Sequence, residues 1–246
     1  MDNSSYVSLS LSSVMRRSMD ITTHNIANAN TAGFKGEHAV FEEYLHKQPG
    51  KRDDVSFSLD KGSYMDLSQG GLVETGSSLD VAIQGDGWMA YETPEGRTTY
   101  GRDGRMVIDQ LGNLSTTSGA LVLDAGGTPI AVPPASGRIS ISEDGLISDA
   151  NGEPIATIGV FNVDDIQAYE RLGNGMFGVP ESLGQPAFNQ ALDTKVIQGF
   201  VEQSNVQPIV EITRMMEVQR AYDRSIKLSE NGHELTRNAL SKLGRA

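Results

Sequence analysis

The side chains that most often carry chemistry are sparse in this chain and are not spaced for catalysis. None of the four histidines has a spacing typical of a metal site, such as H-x-x-x-H; they are His24, His38, His46 and His233. The chain has no cysteine, which excludes thiol nucleophiles, zinc–thiolate sites and disulfides. No G-x-S-x-G elbow or Walker loop occurs. We therefore predict no catalytic site, no bound metal and no cofactor.

Acidic turn residues are the densest polar motif. Short apolar runs are separated by Asp86-Gly87, Asp103-Gly104, Asp144-Gly145 and Asn151-Gly152. These dipeptides tolerate positive φ, so they predict tight turns between strands. Calcium is the alternative reading of Asp103, Asp144 and Asp149, but these lack the D-x-D-x-D-G order of an EF-hand loop. A carboxylate pair for glycoside hydrolysis is defined by separation in space, and no sequence feature points to one.

The charge balance also limits the classes of partner. The formal net charge is −12 and the sequence pI is about 4.7, so the chain lacks the basic surface that nucleic acids and anionic membranes require. No apolar run is long enough to span a bilayer, and Asp2 stands where a secretory signal would carry positive charge. We predict no nucleic-acid partner, no small-molecule substrate and no membrane insertion.

Both ends of the chain have helical periodicity. In the first, Val7, Leu11, Val14 and Ile21 recur at spacings of three, four and seven, with Ser18 and Asn25 interrupting the apolar stripe. In the second, which begins near Val206, an apolar stripe includes Ile212, Met216 and Tyr222, and Pro208 stands where the first helical turn tolerates it. Since interrupted stripes make weak isolated helices, we expect both ends to need a partner surface.

The middle of the chain has strand periodicity. Leu79, Val81 and Ile83 alternate with polar or small residues, and so do Ile139 and Ile141. We predict a mainly β fold with terminal α-helices: an irregular β-rich domain over 78–203, an extended connector over 34–77, and helical assembly regions over 1–33 and 204–246. On assembly, the two helical ends should pair into a coiled-coil-like stem.

Three blocks of the sequence resemble the flagellar basal-body rod and hook proteins of bacteria. The first runs from Asn25-Ile26-Ala27-Asn28 to Gly33-Phe34-Lys35. The second runs from Thr75-Gly76-Ser77 to Gly87-Trp88, followed by Tyr100-Gly101-Arg102-Asp103-Gly104. The third runs from Gly199-Phe200-Val201-Glu202 to Val206, followed by Met216-Glu217-Val218-Gln219-Arg220-Ala221-Tyr222. Together they extend over nearly the whole chain in the family's order.

The resemblance implies a structural protein and not an enzyme. In the family, the terminal helices form the inner layer of a hollow tube, and subunits leave the cytoplasm through the flagellar type III export apparatus without signal cleavage. The expected partners are further copies and other rod subunits in the periplasm-spanning rod. The stripe and the matching blocks give the predicted assembly residues: Val7, Leu11, Val14, Ile21, Asn25, Asn28, Asn30, Thr31, Gly33, Phe34, Ser204, Asn205, Val206, Met216, Gln219, Arg220 and Tyr222.

Several alternatives stay open at this point. Within the family, the length and the opening Met1-Asp2 with Tyr6 favour a proximal rod subunit over a distal rod or hook subunit. Outside it, the chain could be a secreted β-domain enzyme or glycan-binding protein, which a saturable small ligand would reveal. It could also be a cytosolic coiled-coil scaffold, whose terminal helices would be stable at high dilution.

Overall fold

The computed structural model describes residues 3–46, 55–180, 184, 188–191 and 193–243. The chain divides into two compact units, each formed from segments distant in sequence. Unit 1 combines 1–27, 36–66 and 206–246, and unit 2 combines 28–35 and 67–205. The β-rich middle flanked by two helices is confirmed. The predicted domain boundaries, at residues 33, 77 and 203, stay predictions.

Unit 1 contains both long helices and one hairpin. Helix α1 (Asn3–Ala27) packs against helix α2 (Pro208–Leu243) and against the antiparallel strands β1 (Glu37–His46) and β2 (Val55–Met65). Helix α1 contains no glycine or proline. Helix α2 opens on a proline, whose missing amide is not needed there, and Glu211 lies in its first turn at the positive end of the helix dipole.

Unit 2 is built from short antiparallel strands. Its main sheet has the order β14-β15-β6-β5-β9-β8-β7, with β13 also pairing β5, and three small sheets join β10-β11-β12, β16-β4 and β17-β3. The strands are β3 (Leu72–Glu74), β4 (Val81–Gln84), β5 (Trp88–Glu92), β6 (Thr98–Gly101), β7 (Met106–Ile108), β8 (Leu114–Thr116), β9 (Leu121–Val122), β10 (Ser140–Ile141), β11 (Leu146–Ser148), β12 (Pro154–Thr157), β13 (Val160–Phe161), β14 (Glu170–Arg171), β15 (Phe177–Gly178), β16 (Lys195–Gln198) and β17 (Phe200–Glu202).

The core of unit 2 lies around the centre of this sheet. Strand β5 has buried residues on both of its faces, and Met89 and Tyr91 are fully buried. Val81 and Ile83, from the alternating run of the sequence, join the same apolar cluster. Trp88 is also buried, with its ring centroid 5.4 Å from that of Phe177 in an edge-to-face contact.

Candidate assembly site

The predicted stripe of α1 faces the interior of unit 1. Val14 and Ile21 are buried, while Val7 and Leu11 are half-buried. Because α1 packs against α2 and both hairpin strands, these side chains contribute to the packing of the single chain. That these four residues also contact neighbouring subunits stays a prediction.

Asn25, at the end of α1, fastens the helix to the hairpin. Its Oδ1 accepts the backbone N–H of Glu37 at 2.9 Å, and its Nδ2 donates to the Glu37 carbonyl at 2.8 Å and to Glu211 Oε2 at 3.3 Å. The side-chain amide thus binds the first residue of β1 as a neighbouring strand would. Since Asn25 is 1% exposed, these hydrogen bonds replace all of its contact with water.

Glu211 extends this polar network through α2. It is buried, and its Oε1 accepts from Arg214 Nη1 at 2.7 Å. The same Arg214 nitrogen lies 3.0 Å from His38 Nδ1 on β1. A buried carboxylate with a paired guanidinium therefore joins α1, the hairpin and α2 within unit 1.

Residues 28–35 belong to unit 2 and form a compact turn. Thr31 donates its backbone N–H to the Asn28 carbonyl at 3.0 Å and its hydroxyl to Asn28 Oδ1 at 3.2 Å. Phe34 is buried, whereas Asn30 is exposed. Gly33 has φ +66°, and a Cβ added there would lie 2.3 Å from the backbone carbon of Arg102. Only glycine fits this position, because both the dihedral and the neighbouring backbone exclude a side chain.

A buried ionic group, here called the Glu202 cluster, lies beside this turn and consists of Glu202, Lys35, Arg102 and Gly70. Glu202 Oε1 accepts from Lys35 Nζ at 2.7 Å and from the Gly70 N–H at 3.0 Å, and Oε2 accepts from Arg102 Nη1 at 3.0 Å. The three charged side chains are 0%, 4% and 1% exposed for Lys35, Arg102 and Glu202. One anion therefore binds two cations away from solvent.

The cluster has further partners that hold each cation in place. Arg102 Nη2 donates to the Gly85 carbonyl at 2.7 Å, and its guanidinium lies 5.3 Å from the Trp88 ring centroid. Lys35 Nζ also donates to the Ser68 carbonyl at 2.7 Å. Gly33 donates its N–H to the Glu202 carbonyl at 2.8 Å. The cluster thus joins residues from all three sequence blocks of the family resemblance.

The approach to α2 is tied to the same part of unit 2. Asn205 donates from Nδ2 to the Ser68 carbonyl at 3.1 Å, and its backbone N–H donates to the Phe34 carbonyl at 3.4 Å. Ser204 and Val206 beside it are half-buried. Asn205 thus joins the end of one unit 2 segment to Phe34 and Ser68.

The outer face of α2 differs from the predicted face of α1. Ile209 is 81%, Ile212 47% and Met216 45% exposed, and their spacing places them on one side of the helix, here called the outer stripe. Gln219 and Arg220 are exposed beyond it, and Tyr222 is half-buried. Met216 therefore lies beside the exposed apolar side chains of Ile209 and Ile212. The predicted assembly residues Val14 and Ile21 of α1 are instead buried.

Sequence reasoning missed the three charged residues of the Glu202 cluster. Lys35, Arg102 and Glu202 all stand inside the recognised blocks. Their place in the blocks that carry the family resemblance is the signal that could have identified them. Their separations of 67 and 100 positions along the chain give no hint of which of them would pair.

Three aspartates of unit 2 form nearly identical turns. Asp109, Asp124 and Asp149 each accept, through Oδ1, the backbone N–H groups two and four positions ahead, all at 2.8 Å. Hydrogen bonds lower the pKa of the carboxyl groups in these turns; for Asp109 the first of them is the backbone bond from Asn113. They are structural turns, and of the dipeptides predicted as turns only Asn151-Gly152 lies in one of them.

A glycine spacing of the dinucleotide type, Gly173-Asn174-Gly175-Met176-Phe177-Gly178, is also present. It forms the turn between β14 and β15, where Met176 donates its N–H to the Gly173 carbonyl at 2.9 Å. A dinucleotide site needs such a loop to open a helix, and this one opens a strand. The chemistry of this segment is that of a hairpin turn.

Two buried tyrosines of unit 2, Tyr91 and Tyr100, have raised pKa values. Burial raises the pKa of Tyr91 well above its ordinary value and raises the pKa of Tyr100 to about 12, so both hydroxyls stay protonated donors. Tyr91 donates to the Asp103 carbonyl at 2.9 Å. Over the described residues, the structure holds no cluster of metal-ligating side chains, and neither helix has an apolar stretch that could cross a membrane.

Comparison with known proteins agrees with this arrangement. Three family descriptions match in chain order: the flagella basal body rod protein over residues 15–35, the flagellar hook protein FlgE/F/G D1 domain over 82–149, and the flagellar basal body rod FlgEFG protein C-terminal region over 197–242. The first and third take in most of the predicted assembly residues, and the second lies in unit 2.

Curated relatives match over the whole length. A flagellar basal-body rod protein FlgF of Mesorhizobium japonicum is 37% identical over 244 residues, covering 99% of both chains. FlgF of Caulobacter vibrioides is 37% identical, covering 100% of this chain and 99% of its own. A FlgG of Buchnera aphidicola is 30% identical over 85% of this chain and 87% of its own. The chain belongs to the flagellar basal-body rod protein family, with 37% identity to two FlgF members and 30% identity to a FlgG.

Proposed function

We propose that this protein is a structural subunit of the proximal flagellar rod, which joins its neighbours through its terminal helices and transmits torque between motor and hook. The observation that carries the proposal is its full-length similarity to FlgF proteins, which are named as rod proteins. Membership of a structural family accounts for the absence of catalytic motifs in the sequence without any further assumption. Its partners are then other rod and hook subunits, and its place is the periplasm-spanning rod of the basal body.

The outer stripe of α2 is the surface that best fits a contact with a neighbouring subunit. Ile209, Ile212 and Met216 are exposed in the single chain, while Glu211 and Ser225 on the opposite face are buried. Covering each exposed apolar side chain contributes roughly 1–2 kcal/mol, and repetition along a polymer multiplies that gain. We propose that the coiled-coil-like pairing takes place here, between this stripe and a helix of the next subunit.

Export by the flagellar type III apparatus, without a cleaved signal, is part of the same proposal. The helical ends support export by this route, because a subunit that is exported before it assembles is favoured to have helices that complete their packing only when it joins the rod. In α2, the side chains described beyond Ser225 are exposed or half-buried. We expect amide exchange in the free subunit to be fast from Ile226 onward and slow around Glu211, and slow exchange throughout both helices would contradict late ordering.

The test of the assembly surface uses two matched substitutions on α2. Met216→Asp places a charge on the outer stripe, and Leu228→Asp places the same charge at another exposed apolar position, 63% exposed, on a different side of the helix. Each variant replaces the native chain in cells lacking it, and motility and isolated basal bodies are scored by electron microscopy. We expect truncated rods with Met216→Asp and a smaller assembly defect with Leu228→Asp, which lies in the part of α2 that gains its packing late.

Three outcomes would change this view. Complete rods and normal motility in cells that lack the chain altogether would remove the rod function. Complete rods with Met216→Asp would move the contact away from the outer stripe. A distal rod or hook subunit is the second candidate, favoured by the 30% identity to FlgG, and labelling the subunit in purified basal bodies would place it above or below the proximal segment.

A further inference from the structure

The tip of the β7–β8 turn carries an apolar residue that the turn does not need. Leu111 is 87% exposed and lies between Asp109 and Asn113. Its backbone N–H donates to Asp109 Oδ1 at 2.8 Å, and the Gly112 N–H donates to the Asp109 carbonyl at 3.1 Å. The side chain therefore projects into solvent from a backbone that is already fixed.

The two sister turns of unit 2 provide an internal comparison. The residue at the position of Leu111 is Gly126 in the turn opened by Asp124 and Asn151 in the turn opened by Asp149, and both are exposed. The hydrogen bonds to the aspartate are the same in all three. Glycine and asparagine therefore suffice for the fold of this turn, and the leucine side chain is not needed to form it.

The strand beside this turn is an open edge. Among the described strands, β7 pairs only with β8 and ends the main sheet. Val107 is 42% and Ile108 41% exposed, so apolar side chains stand on both faces of this edge. Strand β7 has no charge, proline or glycine, so its shortness, three residues, is the only one of these devices within the strand itself that limits pairing with another chain.

The opposite edge of the same sheet is protected in the usual way. Strand β14 consists of Glu170 and Arg171. Glu170 Oε2 accepts from Arg97 Nη2 at 2.9 Å, and Arg171 lies 5.6 Å from the Phe177 ring centroid. Of the two edge strands of the main sheet, β7 is therefore the apolar one and β14 the charged one.

We propose that β7 and Leu111 form a second assembly contact, in which an extended segment of a neighbouring rod subunit lies along the β7 edge and covers Leu111. An unpaired strand edge is recognised by another backbone, which points to a protein chain and away from a small ligand. Two β7 edges joined to each other would form a closed two-fold pair, whereas a growing rod needs a contact between different surfaces. The proposal rests on the rod function, since that function supplies the neighbouring subunit.

The absence of cysteine from the native chain allows a direct test. Single-cysteine variants Leu111→Cys, Asn151→Cys and Met216→Cys are labelled with a maleimide, first as purified protein and then in isolated basal bodies. We expect all three to react in the free protein. In basal bodies we expect the labelling rate of Leu111→Cys to fall by about tenfold or more, which corresponds to about 1.4 kcal/mol. The control Asn151→Cys, on the sister turn, should react at the same rate as in the free protein.

The partner is identified with a short bifunctional maleimide–amine cross-linker attached at residue 111. A product that joins this chain to a rod-family subunit supports the proposal. Cross-linking to a ring component, or a disulfide formed between residue 111 of two copies of Leu111→Cys, overturns the choice of partner. Unchanged labelling of Leu111→Cys with protection of Met216→Cys overturns the β7 contact and leaves the rod function standing. Unchanged labelling of both variants overturns both proposed contacts, and absence of the chain from purified basal bodies overturns the rod function itself.

Discussion

Glu202→Gln should destabilise unit 2 more than the loss of either cation that Glu202 binds. The carboxylate is 1% exposed and accepts from Lys35 Nζ, Arg102 Nη1 and the Gly70 N–H at 2.7, 3.0 and 3.0 Å. Glutamine keeps the shape of the side chain but removes its charge and turns one acceptor into a donor. Two buried cations then lose the carboxylate that pairs with both of them, and one of them faces an N–H group.

The ratio of two cations to one anion determines the size of the effect. Leaving buried charge unpaired costs about 3–5 kcal/mol, and this range applies to Glu202→Gln. Lys35→Met instead leaves Glu202 paired with Arg102, and the Ser68 carbonyl released by Lys35 still accepts from Asn205. We expect this second variant to lose only about 1–2 kcal/mol, the net value of the hydrogen bonds removed.

Urea unfolding followed by tryptophan fluorescence measures both variants. Trp88 is the only tryptophan, it is buried, and the Arg102 guanidinium lies 5.3 Å from its ring centroid, so it reports on the cluster itself. With a slope of about 2 kcal/mol per molar urea, Glu202→Gln should lower the midpoint by about 2 M. The exposed pair Lys195–Glu143 supplies the control, since Glu143→Gln should leave the midpoint unchanged. A loss with Lys35→Met equal to or greater than that with Glu202→Gln would refute the reasoning.

Three further outcomes test other parts of the structure. Gly33→Ala should lower the thermal unfolding midpoint of unit 2 far more than Gly152→Ala does. An added Cβ at Gly33 meets backbone at 2.3 Å. At Gly152 it meets nothing within 4 Å and adds only the strain of positive φ, about 1–2 kcal/mol. Asn25→Ala should remove about 2–3 kcal/mol from unit 1 by leaving the edge of β1 unpaired, measured by urea unfolding followed by circular dichroism. Asp109, whose pKa is lowered first by the backbone hydrogen bond from Asn113, stabilises the folded state above the unfolded pKa of about 3.9, and this contribution is lost as the pH falls through the lower folded value. The urea midpoint should therefore fall on acidification below about pH 4, and it should fall less in Asp109→Asn.

The sequence predicts most of the elements of this fold. The two helices follow from the helical periodicity of the chain ends, and the start of α2 at Pro208 follows from the tolerance of proline in the first helical turn. The β-rich middle follows from alternation at Val81 and Ile83 and from turn dipeptides. These features are local, so a window of a few residues contains the physical cause.

The pairing of elements could not be predicted in the same way. That Asn25 binds the backbone of Glu37 and the side chain of Glu211 depends on contacts across 12 and 186 positions of the chain. The Glu202 cluster likewise forms across 167 positions to Lys35. Periodicity describes which face of an element is apolar, and it carries no information about which distant charge meets which. For the same reason, the stripe of α1 was predicted as a surface for neighbours, while in the single chain Val14 and Ile21 are buried.

The family blocks therefore carry two kinds of residue, and loss of motility on mutation does not separate them. Substitution of Asn25, Gly33 or Glu202 disturbs hydrogen bonds or close packing inside one chain, so a subunit altered there fails before it meets a neighbour. Met216 on the outer stripe and Leu111 on unit 2 are both exposed. Their substitution should therefore change the free energy of unfolding of the isolated chain very little. An assembly defect with an unchanged unfolding midpoint identifies a contact between subunits. The same defect with a lowered midpoint shows that the substitution destabilises the fold of the single chain. Only the first result gives information on the contacts between rod subunits.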